Sequence, residues 1–355
     1  MSNNILILAP FPDHRYKLDG MISRIKHIDN IFNKIERTYL YVSFFKNKRK
    51  YFLKSGNVKI YELNLFFHFS SILKILFNSN KLYIHSIYQI RHIWFLIPFY
   101  KKQKYLDFHG VVPEEIKYFG KNILSYYFMT FIEKILFKSK NLTVICVTNK
   151  MIAHLKGKYK KFKGDFILYN IFPIHLLDIK ENFINHDKEI NTVFIYSGSC
   201  TLWQKTDLML DAIKKNLRDN YTFIILTSNI AEFEIMIKEK NFPKDKIILK
   251  TVNPEDLFRY YEIADYGFLL RDNNIVNRVA NPTKLIEYLS SGVTPIILNP
   301  NIGDYVENGY EYISIDQFTQ TETLKKRKSK KNKMVAKKML EDNSNVDLIK
   351  IIFKN

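Results

Sequence analysis

The sequence predicts an α/β protein: two doubly wound, mostly parallel sheets in tandem, facing a cleft. Three observations carry that expectation. Strand-like apolar runs alternate with helix-like stretches along most of the chain, the alternation halts at a charged segment without period, and it then restarts. With 355 residues the chain also has room for two cores of about 150–180 residues each.

Residues 5–9 form a short apolar run that leads into a Pro-rich loop and reads as an opening strand. It is too short, and lacks the basic lead, for a secretion signal. A helix over 21–32 follows, then strands at 38–43 and 58–61, a helix near 71–77, a strand at 82–85, a helix near 89–99 and a strand at 104–108. A long helix over 113–137, a strand at 142–147, a helix from Asn149 and a short strand at 166–169 complete a first domain, 1–173. Residues 174–191 carry charges without period and form the expected linker. The second domain, 192–319, alternates strands at 192–197, 221–227, 246–250, 266–271 and 294–298 with helices near Asp207, Ala231, Pro254 and Pro282. Residues 320–355 are a Lys-rich segment ending in an apolar patch, expected either to cross back to the first domain as a helix or to stay partly disordered.

Composition narrows the class. With 46% hydrophobic and 15% aromatic residues the chain is not a disordered one. Cys146 and Cys200 flank apolar runs in no metal or redox spacing, so reduced thiols and a cytoplasmic setting are expected. The densest apolar run, 93–100, is far short of the roughly 20 residues that span a bilayer. The net charge of +20 reflects either a Lys- and Asn-rich composition or an anionic partner. Its clusters at 46–54, 100–105 and 325–338 lie among aromatic or aliphatic residues, which points either to an anionic membrane surface or to a merely solvated basic face, rather than to nucleic acid.

Doubly wound sheets bind ligands beyond the carboxyl ends of their strands, so loops 198–206, 272–281 and 299–304 form the candidate layer. The stretch 277–300, NRVANPTKLIEYLSSGVTPIILNP, joins a helix start to a buried strand. Asn281 suits the N-cap, Pro282 the first helical position and Gly292 the stop, while Leu285, Ile286 and Leu289 make one apolar stripe. Glu287 falls opposite that stripe, beside Lys284. Either a diphosphate docks on residues 281–284 with Glu287 one turn further on, or this is an ordinary capped helix with a solvated polar face.

The loop after strand 192–197 offers Gly198 for close backbone approach, Trp203 as a planar wall and Lys205 just before a helix capped by Thr206 or Asp207. Arg271 leaves an apolar strand and either clamps phosphate or pairs with Asp272. In the first half, His109 directly follows a strand, placed to bond a sugar hydroxyl or assist proton transfer. Asp19 and Gly20 with Arg24 form a second candidate loop. The chain has no G-x-G-x-x-G, no phosphate-loop lysine motif, no His/Cys metal set and no G-x-S-x-G elbow.

On these residues the chain resembles bacterial glycosyltransferases of the GT-B fold, family 4, in the branch that builds capsule and lipopolysaccharide. The carriers in the first half are Pro10 and Gly20, Phe108-His109-Gly110 with Pro113-Glu114, Val147-Thr148 and Asn170. In the second they are Tyr196-Ser-Gly-Ser199 with Trp203-Gln-Lys205, Leu269-Leu-Arg271 and, above all, Asn281-Pro-Thr-Lys-Leu-Ile-Glu-Tyr-Leu289 with Gly292.

The resemblance implies two Rossmann-like domains and transfer of a sugar from a nucleotide-sugar donor to a lipid-linked or polysaccharide acceptor. It also implies a peripheral place on the inner membrane face and no metal or other cofactor. By position it puts Glu287 on the ribose, Lys205 on the diphosphate and His109 at the donor sugar. The expected catalytic residues are then His109, Lys205 and Arg271. The expected donor contacts are Gly20, Gly198, Ser199, Lys205, Asn281, Pro282, Thr283, Lys284 and Glu287. Many members carry two glutamates separated by seven residues, and Val279 stands at the earlier position; Ser199 stands where arginine is common, with Arg271 to supply that charge. These departures leave the donor open and weaken the expectation of a retaining enzyme. A GT-B-shaped sugar-nucleotide epimerase and an inactive assembly subunit are the alternatives.

Overall fold

The apolar runs of the alternation form strands covered on both faces, as parallel sheets require. The computed structural model describes residues 4–16, 20–120, 122–172, 176, 191–243, 246–321, 323–344 and 346–353. Asp19 and most of the expected linker, 174–191, lie outside the described residues. The chain divides into two units, Met1–Ile171 with Asn345–Asn355, and Phe172–Ser344.

In the first unit the strands are β1 (Asn4–Leu8), β2 (Glu36–Ser43), β3 (Tyr51–Ser55), β4 (Val58–Asn64), β5 (Lys81–His85), β6 (Gln103–Phe108), β7 (Leu142–Cys146) and β8 (Asp165–Leu168). They form one sheet ordered β3-β4-β2-β1-β5-β6-β7-β8, parallel except for β3, which folds back antiparallel on β4. Helices α1 (Gly20–Ile31), α2 (Phe69–Asn78), α3 (Val112–Tyr118), α4 (Ile123–Lys138) and α5 (Asn149–Lys158) lie between the strands.

The second unit holds β9 (Thr192–Ser197), β10 (Tyr221–Leu226), β11 (Ile247–Lys250), β12 (Tyr266–Leu269), β13 (Thr294–Ile297) and β14 (Ile313–Ser314), ordered β11-β10-β9-β12-β13-β14 and all parallel. Its helices are α6 (Thr206–Lys215), α7 (Ile230–Glu239), α8 (Leu257–Ile263), α9 (Ile275–Val279), α10 (Thr283–Ser290), α11 (Ile315–Gln320) and α12 (Lys330–Ser344). Successive residues of β9 serve opposite layers: Phe194 and Tyr196 pack with Phe223 and Tyr266, whereas Val193 and Ile195 pack with Tyr261 and Tyr288. The last helix, α13 (Leu348–Phe353), puts Leu348 and Ile352 into the core of the first unit beside Phe32 and Tyr83.

Several expectations need correction. The long helix over 113–137 is two helices, because Gly120 turns left-handed (φ 64°) and Asn122 caps α4, accepting from Leu124 N at 2.8 Å. The helix near 89–99 is a pair of 3₁₀ segments, Ile87–Ile90 and Trp94–Phe99, the second containing Pro98. The basic run 46–54 includes an unforeseen edge strand, β3.

The other two basic runs turn partly inward. Lys104 is fully buried, with Nζ donating to Tyr100 O at 2.9 Å, and burial pushes its amine down to about 8. Lys328 Nζ donates to Tyr261 O at 2.8 Å near the end of α8, and buried Asn332 of α12 bonds the carbonyls of Val293 (3.1 Å) and Glu311 (3.0 Å). The Lys-rich segment is therefore built into the fold. Cys146 and Cys200 are both free, the second only half-buried.

Candidate functional site

Strand order in the second unit reverses between β9 and β12, so their carboxyl ends open the crevice where doubly wound sheets take ligands. The loop after β9 begins at Gly198, whose φ is 150°. A Cβ there would stand 2.9 Å from Lys284 Nζ and 3.1 Å from Tyr196 Oη, so only glycine admits the lysine so close to the loop. Lys284 Nζ lies 4.2 Å from the centre of the Tyr196 ring and 3.4 Å from Gln204 Oε1. Ser199 contributes its carbonyl, which accepts from Tyr196 Oη at 2.7 Å.

Arg271 leaves the end of β12 and turns into the same crevice. Its Cζ lies 4.9 Å from the centre of the Trp203 ring, Nη1 is 3.5 Å from Asn277 Oδ1, and the buried Nε has no hydrogen-bond partner among the described residues. The pairing with Asp272 weighed from the sequence goes elsewhere: Asp272 Oδ2 is 3.0 Å from Lys205 Nζ. Lys205 itself occupies the N-cap of α6 in a left-handed conformation (φ 53°), one residue before the expected caps Thr206 and Asp207. It is ion-paired to Asp272 at the rim, whereas Arg271 and Lys284, also half-buried, have no carboxylate ion-pair partner among the described residues.

The α10 helix starts one residue later than expected. Pro282 is the N-cap and Thr283 the first helical residue, with no side chain capping the start. Asn281 instead accepts from Tyr305 Oη at 2.7 Å. At the other end Gly292 (φ 70°) closes a Schellman turn, with Val293 N on Tyr288 O and Gly292 N on Leu289 O, both 2.9 Å. The solvated polar face is absent: Glu287 is only 9% exposed, and its Oε2 accepts from Tyr261 Oη (3.3 Å), which also pairs with Ser197 Oγ (2.7 Å). Val279, in α9, is buried.

Burial dominates the electrostatics here. It pushes the Arg271 guanidinium down to about 10 and the Lys284 amine down to about 7, the latter helped by Arg271, and it pushes the Glu287 carboxyl up to about 7. Two half-buried cations, one of them without a carboxylate partner among the described residues, make a site that gains from an anion. At pH 8 a lysine with a value near 7 is mostly neutral, and an anion bound beside it would restore its charge. Binding at that pH is therefore expected to take up as much as about one proton, measured by calorimetry in buffers of different ionisation enthalpy. Lys284→Met should remove the uptake; unchanged uptake would assign the proton to another group.

Two expected residues belong to the first unit. Gly20 opens α1, exposed and with open space around it. His109 is half-buried after β6, with Nδ1 3.8 Å from Asp107 Oδ1 and its ring 4.9 Å from that of His85. The ligand atoms of His85, Asp107 and His109 lie within 4.8 Å of one another, a spacing a metal ion could use. Arg24 occupies the carboxylate, however, donating from Nη2 to Oδ1 (2.6 Å) and from Nε to Oδ2 (2.8 Å). This fixed charge disfavours a cation and makes Arg24 a buried tie rather than a loop ligand.

Sequence reasoning missed a cavity of about 570 Å³ lined by Thr251, Val252, Asn253, Asp256, Arg259, Tyr260 and Ile263. It opens where β11 ends, in the same strand-end layer, and α8 links it to the crevice: Tyr260 lines it and Tyr261 reaches Glu287. The signal was the placement of Thr251 and Pro254 directly after a strand.

No protein-family model and no curated protein matches the sequence. Solved structures do. The chain is similar to an α,α-trehalose 6-phosphate synthase from Burkholderia multivorans (TM-score 0.65, 8% identity, 97% of this chain and 95% of that one). It is also similar to a UDP-forming α,α-trehalose-phosphate synthase from Burkholderia xenovorans in complex with glucose-6-phosphate (TM-score 0.64, 8% identity, 98% of each chain). A third is the Anabaena protein HepE in complex with UDP-glucose (TM-score 0.58, 10% identity, 98% of this chain and 92% of that one). The α/β fold with parallel sheets is thus that of GT-B glycosyltransferases.

Proposed function

We propose that the chain is a glycosyltransferase that moves a sugar from a nucleotide-sugar to a lipid-linked or polysaccharide acceptor in surface-glycan assembly. The observation that carries this is the half-buried pair Arg271 and Lys284 at the β9/β12 switch point, an anion site with buried Glu287 beside it. In this reading the diphosphate rests on Arg271, Lys284 and the uncapped start of α10, Glu287 accepts from the ribose hydroxyls, and the base enters the Thr251–Tyr260 cavity. Lys205 exchanges Asp272 for phosphate at the rim. The fixed cations stabilise the leaving diphosphate, which is where charge develops, so no metal is assigned to the step. The UDP-forming and UDP-glucose-bound structures with the same fold support a nucleoside diphosphate as the ligand class.

A thermal-shift series with nucleoside diphosphates tests the reading, because a ligand that binds only the folded state raises the melting temperature. One base is expected to stand out, without need for added metal. Glu287→Ala should weaken that ligand by about 2 kcal/mol, the loss of a charge-assisted hydrogen-bond acceptor. Equal affinity of the variant for every nucleoside diphosphate removes Glu287 from the site. Buried Val279, standing where many family members carry glutamate, favours one second reading, an inactive assembly subunit. Tight nucleotide binding with no turnover on any acceptor would select it.

A further inference from the structure

The cavity at the carboxyl end of β11 holds an acid that its own helix does not use. Asp256 is the N-cap residue of α8, yet its side chain caps none of the unpaired amides there. Its ion-pair partner among the described residues is Arg259, with Nη1 3.5 Å from Oδ1. Half-buried Asp256 and exposed Arg259 thus line the cavity side by side. Thr251, also in the lining, commits its hydroxyl to Thr227 O at 2.7 Å. The remaining walls include Val252, Tyr260 and Ile263, each half-buried, so a charged edge stands among apolar and aromatic faces. That is the composition of a pocket for a flat, polar-edged ring.

Position and chemistry together select the ring. In the order β11-β10-β9 the cavity lies two strand spacings, about 10 Å, from the end of β9, where the anion site begins. A nucleoside spans that separation between its base and its diphosphate. A carboxylate offers two adjacent acceptors, and a guanidinium beside it offers donors. Guanine presents O6, N1–H and the 2-amino group in a row, one acceptor next to two donors, which is the complement of Arg259 followed by Asp256. Uracil has a carbonyl on each side of its single N–H, so one carboxylate oxygen would face a carbonyl oxygen. Adenine and cytosine offer one amino donor beside a bare ring nitrogen and leave the second carboxylate oxygen unmatched.

We propose that the donor is a guanosine-diphosphate sugar, with Asp256 accepting from N1–H and the 2-amino group, Arg259 donating to O6, and Tyr260 forming a wall of the base pocket. This rests on the diphosphate site of the proposed function and names the substrate class of that site. Asp256 and Arg259 are then specificity residues that touch the base and take no part in bond making or breaking.

The test is calorimetric titration of the full chain with GDP, UDP, ADP, CDP and inosine diphosphate. Inosine diphosphate keeps O6 and N1–H and lacks only the 2-amino group, so it isolates one contact without any change to the protein. The parent is expected to bind GDP at least about tenfold more tightly than inosine diphosphate or any of the other three. Asp256→Asn exchanges one acceptor for a donor. GDP should then weaken by about tenfold, and its advantage over inosine diphosphate should shrink to about twofold. UDP should lose less, because an amide pairs with a carbonyl and the N–H next to it. Arg259→Met should weaken GDP and inosine diphosphate alike, by about threefold, since both keep O6. Equal parent affinity for GDP and inosine diphosphate overturns the proposal, as does UDP, ADP or CDP binding as tightly as GDP. An unchanged ranking of bases in folded Asp256→Asn overturns it too. If another base is preferred, the diphosphate site stands and only the base assignment falls; if no nucleoside diphosphate binds, both fall together.

Discussion

Replacing Arg271 with methionine is expected to move affinity and stability in opposite directions. Nucleoside-diphosphate binding should fall by about 2–3 kcal/mol, roughly a hundredfold, because a charge-assisted contact to phosphate is lost from a half-buried site. The ligand-free protein should melt at the same temperature or higher. Burial already drives the guanidinium down to about 10, its Nε has no hydrogen-bond partner among the described residues, and its main support is the face of Trp203. An apolar side chain of similar length keeps the ring contact and relieves the half-buried charge. A structural arginine would behave otherwise, losing stability on replacement. Differential scanning calorimetry with and without ligand separates the cases, and a melting temperature that falls without ligand would assign Arg271 to the scaffold.

The second large effect is expected at a residue that touches no ligand. Gly267 lies in the middle of β12, and a Cβ there would sit 2.5 Å from the Tyr288 ring. That ring is fully buried and meets Tyr261 edge-on at 5.3 Å. It has no room to withdraw, so Gly267→Ala must push α10 off the sheet, at about 2–3 kcal/mol of stability in urea unfolding. Because Glu287 precedes Tyr288 on the same helix, nucleotide affinity should fall too. Gly20→Ala, with nothing within 4 Å of the new methyl, is the matched control and should stay within about 0.5 kcal/mol of the parent. Adding Tyr288→Leu to Gly267→Ala should recover part of the loss, a non-additivity that identifies the ring as the obstacle.

What was legible in the sequence was what local chemistry encodes. The alternation of apolar runs gave the parallel strands, the proline and glycine around α10 gave its limits to within a residue, and the apolar run before Arg271 gave its emergence at a strand end. Contacts between distant residues were not legible. Nothing near Gly267 announces Tyr288, and nothing in the basic run around Lys328 shows that its amine turns inward to α8. The helix expected over 113–137 kept its apolar period across the break at Gly120, so periodicity alone could not divide it. Glu287 was placed on a polar face correctly in angle but wrongly in environment, because the Tyr261 that covers it comes from another helix. The side chains that give the crevice its charge were nameable in advance; their burial, which gives that charge its strength, was not.

The packing of α13 into the first unit has a consequence for the order in which the two units can be completed. The second unit is an uninterrupted segment, Phe172–Ser344, whereas the first is written in two pieces, and its hydrophobic interior includes Leu348 and Ile352. During synthesis the second unit can therefore be finished while the first still lacks α13. Until that helix arrives, Phe32 and Tyr83 lack two of their neighbours, and Lys81 Nζ and Tyr105 Oη lack the Ile352 carbonyl they bind. A chain truncated before α13 would carry one sound unit and one open one, and the open one would be a substrate for proteolysis.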